Sequence, residues 1–379
     1  MSDTSTLAVL RSEKDIDTAW LEDLLKQRLK SNIEVISWTS NPPATKSGFL
    51  SEMCFVNVRF KRPDHPTEEK SLAVKFAPSD KNILEFIKNG NLARKEIEFY
   101  KYVQTNEFQL FCERSGVKHP VPDVYWANME EDLLTLVMHD LRTDGYRVDI
   151  QPEGSSLEQV KMTLKSIAVI HACGVATIKK HGREYLDVRS GDFLDGYLKV
   201  GIEKEIEMFT GTRTAETLRA INSLRDQGIK TRYPLFETLI HGDLWMGNVM
   251  FSADNTNAII IDWQFASVDN PVCDILSLLF MSSHPVVYEQ HLNEVLVNYW
   301  QSLTEALEKN GVSVESTFQD LVECVEEMWM YGFMFLTASW NDLLSSNLMT
   351  AQRAQHAIHF FEKKNTFSKF LQLHGKEIP

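Results

Sequence analysis

The sequence of 379 residues contains few cysteines, and their spacing excludes two common kinds of site. The five cysteines are scattered without a CxxC pair, so neither a zinc site nor a disulfide framework is predicted. The N-terminus lacks a basic start followed by an apolar run, and no N-x-Ser/Thr sequon occurs, so no signal peptide is predicted. We therefore expect free thiols and a cytoplasmic location.

Positive charge and long apolar runs are also scarce. The formal net charge is −14, and the basic surface that a nucleic-acid backbone requires is not expected, so no nucleic-acid partner is predicted. The most apolar segment, residues 328–336, is bounded by Glu327 and by Asn341-Asp342, whereas a membrane-spanning helix needs about 20 apolar residues. We predict no membrane span, and we interpret the segment as a helix that is buried or lines a pocket.

Hydrophobic periodicity separates a β-rich part from a helical part. Short strands are predicted at 33–39, 53–60, 71–76, 124–128 and 133–138, with a helix at 91–104 between them. Beyond Asp140, long helices are predicted at 157–173, 190–209, 213–227, 285–310, 317–340 and 351–373, with one β island at 248–251 and 258–262. The predicted fold class is α+β, with a small β-rich N-lobe at residues 1–138 and a larger, mainly helical C-lobe at residues 139–379.

One segment has the spacing of a phosphotransfer site. His241, Asp243 and Asn248 form the pattern H-x-D-x-x-x-x-N, and an apolar strand further along ends in Asp262. Turn-forming residues at 253–257 fold the chain back, so Asp262 is expected at the same edge as Asn248. Phosphoryl transfer needs a carboxylate that orients the attacking hydroxyl, and amide and carboxylate oxygens that bind Mg²⁺.

These requirements assign roles to the four residues of the segment. Asp243 is predicted to be the catalytic carboxylate, and Asn248 and Asp262 are predicted to bind Mg²⁺. His241 is a second catalytic candidate, although a histidine at this position more often supports the loop.

The same segment resembles the phosphotransferase signature of the protein kinase-like fold, in its small-molecule branch of choline kinases and aminoglycoside phosphotransferases. More closely, H-G-D-L-W-x-x-N-x-M-F with I-D-W-Q resembles the ecdysteroid kinase-like family, from about residue 40 to about residue 345. The resemblance implies a two-lobed fold with a nucleotide-binding N-lobe and a catalytic and substrate-binding C-lobe. It also implies ATP and Mg²⁺ as cofactors.

The resemblance extends to residues that would bind the nucleotide. Lys75, in A-V-K-F, resembles the strand lysine that holds the α/β-phosphates, and Glu96 or Glu98 would pair with it. The two carboxylates point about 200° apart on a helix, so only one can face Lys75, and the K-E-I-x-F-Y match favours Glu96. In L-V-M-H-D-L, the backbone around Met138 and His139 is expected to contact the adenine.

The loop that would cover the phosphates differs from the common glycine-rich pattern. Residues 45–52 contain a single glycine and form neither G-x-G-x-x-G nor a Walker A sequence. Contact with the β- and γ-phosphates is therefore expected from Gly48 and from backbone donors near Ser51. Two weaker matches are Asp274, expected to support the catalytic loop through hydrogen bonds, and His171, expected to be a core histidine.

The acceptor is predicted to be a small molecule with a hydroxyl group. The short distance from Asp262 to Pro271 leaves no room for an activation segment with an A-P-E element, so no platform for a peptide is predicted. The C-terminal helices carry a cluster of large apolar residues, Met328, Trp329, Tyr331, Phe333, Met334 and Trp340. If several of them line a pocket rather than the core, a steroid or other lipophilic alcohol fits better than a polycationic aminoglycoside.

Two alternatives to this function stay open. One is a choline- or aminoglycoside-type kinase that acts on a polar cationic acceptor. The other is a nucleotide-binding pseudokinase or scaffold, although all the catalytic positions expected from the resemblance are filled.

Overall fold

The computed structural model describes residues 7–43, 50–117, 120–186, 202–224 and 235–376. The chain divides into two compact units. The first comprises Met1–Gln109, Val121–Arg147 and Trp263–Phe265, and the second comprises Leu110–Pro120, Val148–Asp262 and Ala266–Pro379. The predicted α+β class is confirmed, since the N-terminal part forms an antiparallel sheet and the C-terminal part is mainly helical.

A five-stranded antiparallel sheet forms the first unit, in the order β1-β2-β3-β5-β4. Its strands are β1 (Glu34–Asn41), β2 (Glu52–Lys61), β3 (Glu68–Phe76), β4 (Val124–Glu130) and β5 (Leu133–His139). Alternate residues of β2, from Cys54 to Phe60, are buried in one core with α1 (Thr18–Leu29), which begins at the side-chain cap of Asp17. The short elements that follow are α2 (Lys81–Asn89), α3 (Leu92–Val103), α4 (Asn106–Ser115) and β6 (Arg147–Val148).

The register of the sheet determines which residues share a face with Lys75. Lys75 lies opposite Met53 of β2 and Leu136 of β5, and Ala73 lies opposite Met138. Because cross-strand partners point to the same side and side chains alternate along a strand, Lys75, Ala73 and Met138 share one face. This face is the one opposite the core that α1 covers.

The second unit contains long helices around α5 (Leu157–His181). The others are α6 (Ile202–Met208), α7 (Arg213–Asn222), α8 (Val272–Ser282), α9 (Pro285–Gln290), α10 (Leu292–Lys309), α11 (Phe318–Glu327), α12 (Trp329–Ser345), α13 (Ala351–Lys363) and α14 (Thr366–Leu373). Within the described ranges, α5 is the one helix that is long and apolar enough to cross a membrane, and most of it is buried in the protein. The predicted helices at 190–209 and 213–227 lie partly outside the described residues.

Three predicted helices are each two helices. The break between α9 and α10 is at His291, the break between α11 and α12 is at Met328, and the break between α13 and α14 includes Asn365. Asn365 has a φ of 56°, in the left-handed region that asparagine tolerates better than most residues. Apolar periodicity continues through each break, which explains why one helix was predicted in each case.

Two short strand pairs hold the segment of the proposed phosphotransfer site. β7 (Thr238–Ile240) pairs with β10 (Ser267–Asp269), and β8 (Val249–Phe251) pairs with β9 (Ala258–Ile260). The turn between β8 and β9 is closed by hydrogen bonds of the Ser252 and Asp254 side chains. The hairpin expected from the sequence is therefore present, and the segment from His241 to Asn248 connects β7 to it.

Candidate active site

The loop between β7 and β8 holds Asp243 and Asn248 together. The Asn248 side-chain nitrogen donates to the Asp243 carboxylate (3.1 Å) and to the Asp243 carbonyl (2.9 Å). At the end of the hairpin, the Ile261 N–H donates to the Asn248 carbonyl at 2.9 Å. Asp262 is the next residue after Ile261, so this hydrogen bond brings its backbone near Asn248. The three oxygen-bearing side chains that the sequence assigned to one point thus come from the β7–β8 loop and the end of the β8–β9 hairpin, which hydrogen bonds of Asn248 join.

The charges of this hairpin perturb Asp243. Burial is the main cause that raises the pKa of Asp243 to about 8, and the negative charge of Asp262 raises it further. The hydrogen bond from Asn248 acts in the opposite direction and lowers this pKa. The negative charge of Asp262, which raises the pKa of Asp243, would also stabilise a cation at this place.

The donor set suits Mg²⁺. The Asn248 amide nitrogen faces Asp243, so its amide oxygen points the other way and can serve with Asp262 as an oxygen ligand. In the described ranges, no group of three His, Cys, Asp or Glu side chains could hold a metal ion. A hard cation with one or two carboxylate ligands that completes its shell with phosphate oxygens and water fits such a set.

Asp274 supports the start of the loop from the first turn of α8. One carboxylate oxygen accepts from the His241 N–H (2.7 Å) and the other from the Gly242 N–H (2.9 Å). Gly242 has a φ of 77°, which favours glycine. His171 contacts Asp274 at 3.1 Å and Tyr299 at 2.9 Å, and both His171 and Asp274 are fully buried. The contacts of Asp274 agree with the supporting role expected for it, and the burial of His171 agrees with the core position expected for it.

Both ring nitrogens of His241 are engaged inside the loop. Nδ1 accepts from the Asp243 N–H (3.2 Å), and Nε2 lies 2.9 Å from the Ile261 carbonyl oxygen. This network assigns the proton to Nε2, and burial lowers the pKa of His241, so the ring is neutral. These contacts favour the supporting role that the sequence left open beside a catalytic one.

Serine side chains that the sequence analysis did not identify also fix the loop. The Ser282 hydroxyl accepts from the Met246 N–H (2.8 Å), and the Ser277 hydroxyl donates to the Leu244 carbonyl (2.9 Å). Both serines lie in α8, which is otherwise almost entirely apolar and is buried along its length. Since buried polar groups need partners, serines in such a helix were a signal that could have indicated a contact with a loop.

Replacing Asp274 by asparagine should loosen the loop. Asparagine keeps the shape but has only one acceptor oxygen for the two backbone N–H groups, so one buried donor loses its partner. We expect the free energy of unfolding to fall by about 1–3 kcal/mol. Urea denaturation measures this loss, and Glu305→Gln is the matched control because its exposed pair with Lys309 should contribute little to stability. Equal stability of both variants would contradict the supporting role.

In the first unit, the Lys75 ammonium lies 2.7 Å from the Glu96 carboxylate, and the two side chains are 5% and 1% exposed. Glu98, the alternative partner, instead pairs with Lys101 on the surface at 3.3 Å. Phe99, on the same helix, stacks on Trp263 with ring centroids 3.8 Å apart. The helix α3 therefore holds Glu96 at the lysine through a well-packed core.

Removing one member of this buried pair should be costly. Lys75→Met or Glu96→Leu alone leaves a buried charge without its partner, and we expect each to lower the free energy of unfolding by about 3–5 kcal/mol. The double variant should recover much of that loss, because an apolar pair is tolerated in its place. A double-mutant cycle by denaturant unfolding measures the coupling, with Lys101→Met as the exposed control. Additive losses would contradict the pairing.

The remaining residues predicted to bind the nucleotide lie as follows. Gly48 lies outside the described residues, and Ser51 directly precedes β2. Met138 is nearly buried at the end of β5, on the face of the sheet that carries Lys75. The His139 N–H donates to the Asp123 carbonyl at 2.8 Å, so this backbone donor is already engaged.

The aromatic and methionine cluster predicted near the C-terminus lies in the core. Five of its members, Met328, Trp329, Tyr331, Phe333 and Met334, are buried, and the side chain of Trp340 lies outside the described residues. Gly332 lies so close to α8 that a Cβ atom there would be 2.7 Å from the Phe280 ring. Of the two interpretations left open, core packing is the one that these five side chains support.

Comparison with known proteins gives one extensive match. The model of the ecdysteroid kinase-like family matches residues 46–312. No curated protein matches the chain at a significant level.

Solved structures give distant similarities. The structure of a candidate aminoglycoside phosphotransferase from Ralstonia eutropha has 12% identity and a TM-score of 0.48, and the alignment covers 93% of this chain and 98% of that one. A choline kinase from Streptococcus pneumoniae has 15% identity and a TM-score of 0.39, with 89% and 98% covered.

Proposed function

Because the chain belongs to the ecdysteroid kinase-like family, we propose that it transfers the γ-phosphoryl group of ATP to a hydroxyl group of a small molecule. Family and fold support a small-molecule phosphotransferase. The observation that carries the finer proposal is the hydrogen bond by which Asn248 holds the Asp243 carboxylate in the β7–β8 loop, with Asp262 at the end of the hairpin that follows.

Asp243 is proposed to orient the acceptor hydroxyl and to accept its proton. Asn248 engages one carboxylate oxygen, which fixes the carboxylate plane and leaves the other oxygen for the hydroxyl. Because its pKa is raised, the Asp243 carboxylate in its deprotonated form is a stronger base than an exposed aspartate. His241 and Asp274 keep this geometry by fixing the backbone of the loop.

The nucleotide is proposed to be held by residues of both motifs. Lys75, paired with Glu96, would contact the α/β-phosphates, and Asn248 and Asp262 would hold Mg²⁺, which neutralises phosphate charge when bound. Gly48 and Ser51 are proposed to contact the terminal phosphates, and the backbone near Met138 and His139 the adenine.

The acceptor class is decided by a direct assay. The purified protein is incubated with Mg·ATP and hydroxysteroids, other lipophilic alcohols, amino alcohols such as choline, and aminoglycosides, and each mixture is scanned by mass spectrometry for an added phosphoryl group. We place hydroxysteroids first because the family name refers to ecdysteroids. Phosphorylation of a cationic acceptor alone would favour the choline- or aminoglycoside-type alternative.

The same assay tests the proposed function itself. The matched controls omit Mg²⁺ or use Asp243→Ala, and both should lower product formation by orders of magnitude. ATP binding without phosphorylation of any acceptor would support the pseudokinase or scaffold alternative, and phosphorylation of protein substrates only would contradict a small-molecule acceptor.

A further inference from the structure

A buried arginine of the second unit lacks partners for most of its guanidinium group. Arg353, in the first turn of α13, is 4% exposed, and its Nη1 reaches the Pro152 carbonyl only through a long contact of 3.4 Å. Its Nε and Nη2 have no hydrogen-bond partner. Burial lowers the pKa of Arg353 to about 10, so the group is still a cation at neutral pH. Among the described residues, no carboxylate lies within ion-pair distance of it.

Two more buried hydroxyl groups without a hydrogen-bond partner lie in α9 and in the segment that follows Pro152. Tyr288, on α9, is 2% exposed, and Ser155 is 1% exposed. The Tyr288 ring packs against Phe360 of α13 with ring centroids 5.0 Å apart, and Ser155 lies three residues after Pro152. Ser155 also forms a parallel bridge with Ser283, just before α9 begins. The three unpartnered groups therefore belong to segments that contact one another.

The chemistry of the arginine indicates the ligand. Buried polar groups are nearly always hydrogen-bonded, and a buried charge without a partner is strongly unfavourable. Nε and Nη2 form one edge of the guanidinium plane, the kind of edge that binds two oxygens of a carboxylate or phosphate in parallel. We infer that Arg353, Tyr288 and Ser155 form a binding site for a compact oxyanion, such as a phosphate, sulfate or carboxylate group.

Glu153 is the competing group inside the protein. It is exposed, it lies next to Pro152, and its charge acts on Arg353 without forming an ion pair. Glu289 of α9 lies 3.6 Å from His356 of α13 instead of contacting Arg353. If an oxyanion is the ligand, removing the charge of Glu153 should strengthen binding.

Two successive hydrogen bonds connect the site to the loop that holds Asp243. Ser155 donates its N–H to the Ser282 carbonyl (2.7 Å), and the Ser282 hydroxyl accepts from Met246 of the loop (2.8 Å). The oxyanion therefore has two conceivable sources, a free anion or an acidic substituent of the acceptor. The second source rests on the proposed function.

Binding of a free anion is measured by titrating the full chain with potassium phosphate and potassium sulfate, by calorimetry and thermal unfolding. Potassium chloride of equal ionic strength is the control, because phosphate and sulfate also stabilise proteins without a site. We expect saturable binding that Arg353→Met abolishes, that Tyr288→Phe weakens roughly tenfold, and that Glu153→Gln strengthens. Tyr288→Phe removes only an unpartnered hydroxyl, so it should fold even if Arg353→Met does not.

To test whether the acceptor supplies the oxyanion, KM is compared for two acceptors. One is a neutral hydroxy compound that the protein phosphorylates, and the other is its carboxylic acid analogue. If the acceptor supplies the oxyanion, Tyr288→Phe and Arg353→Met raise KM for the acid at least tenfold and leave KM for the neutral compound unchanged. Saturable phosphate binding supports the site even if no acceptor is ever phosphorylated. The inference is overturned if phosphate, sulfate and acidic acceptors act equally on the wild type and on both variants.

Discussion

Replacing Asp243 by alanine is expected to lower turnover by about 10²–10⁴-fold while the nucleotide still binds. Asp243 is the carboxylate that Asn248 fixes, through the 3.1 Å hydrogen bond to its side chain. Alanine removes the group that would orient the acceptor hydroxyl and accept its proton. The nucleotide keeps its proposed contacts with Lys75 and Asp262, so its binding should change little.

Turnover is measured with an acceptor identified in the screen, and nucleotide binding is measured by calorimetry. Asp254→Ala is the matched control, since Asp254 lies in the turn of the hairpin that follows the loop of Asp243 but is exposed and bonds only within the turn. Asp243→Asn is a second variant, which keeps the shape and should lose nearly as much turnover as alanine. Turnover equal to that of Asp254→Ala would contradict the assignment of Asp243.

The sequence predicted those parts of the fold that depend on local patterns. The strands of the first unit are short apolar segments between turn-rich stretches, and the β8–β9 hairpin has a turn rich in Asp and Asn, so both were predictable. Helix α8 was not predicted, because it is buried on all sides and shows no amphipathic period. Its position decides much of the site, since Asp274, Ser277 and Ser282 all lie on it.

The site residues likewise divide into those that a local pattern predicts and those that only the packing of distant segments brings together. Asp243, Asn248 and Asp262 stand in one short segment, so spacing alone could group them. The contacts of Tyr299 with His171 and of Ser282 with the loop join residues far apart in the chain, and no local pattern identifies which residues will be partners. The choice between Glu96 and Glu98 was an intermediate case: helix geometry allowed only one of them to face Lys75, the resemblance favoured Glu96, and the structure pairs Glu96 with Lys75.

Replacing Asp262 is expected to weaken the Mg²⁺-dependent part of nucleotide binding. Asp262 has a φ of 64°, in the left-handed region, where asparagine is tolerated and alanine adds strain. Asp262→Asn is therefore the better variant, because it removes the charge and one strong ligand oxygen without disturbing the backbone. Loss of an outer-shell partner already costs about 10–100-fold in metal affinity, so loss of this carboxylate should cost at least as much.

Calorimetry with ATP in Mg²⁺ and in EDTA distinguishes a metal-ligand role of Asp262 from a structural role in the backbone. In EDTA, the wild type and Asp262→Asn should bind ATP with equal affinity, because the contacts proposed for Lys75 do not involve Asp262. In Mg²⁺, only the wild type should gain affinity, and excess Mg²⁺ should partly restore the variant. If Mg²⁺ raised the ATP affinity of both proteins equally, Asp262 would not bind the metal. If Asp262→Asn lost as much ATP affinity in EDTA as in Mg²⁺, Asp262 would have a structural role in the hairpin. The Mg²⁺ ligand role requires a difference that appears with the metal and disappears without it.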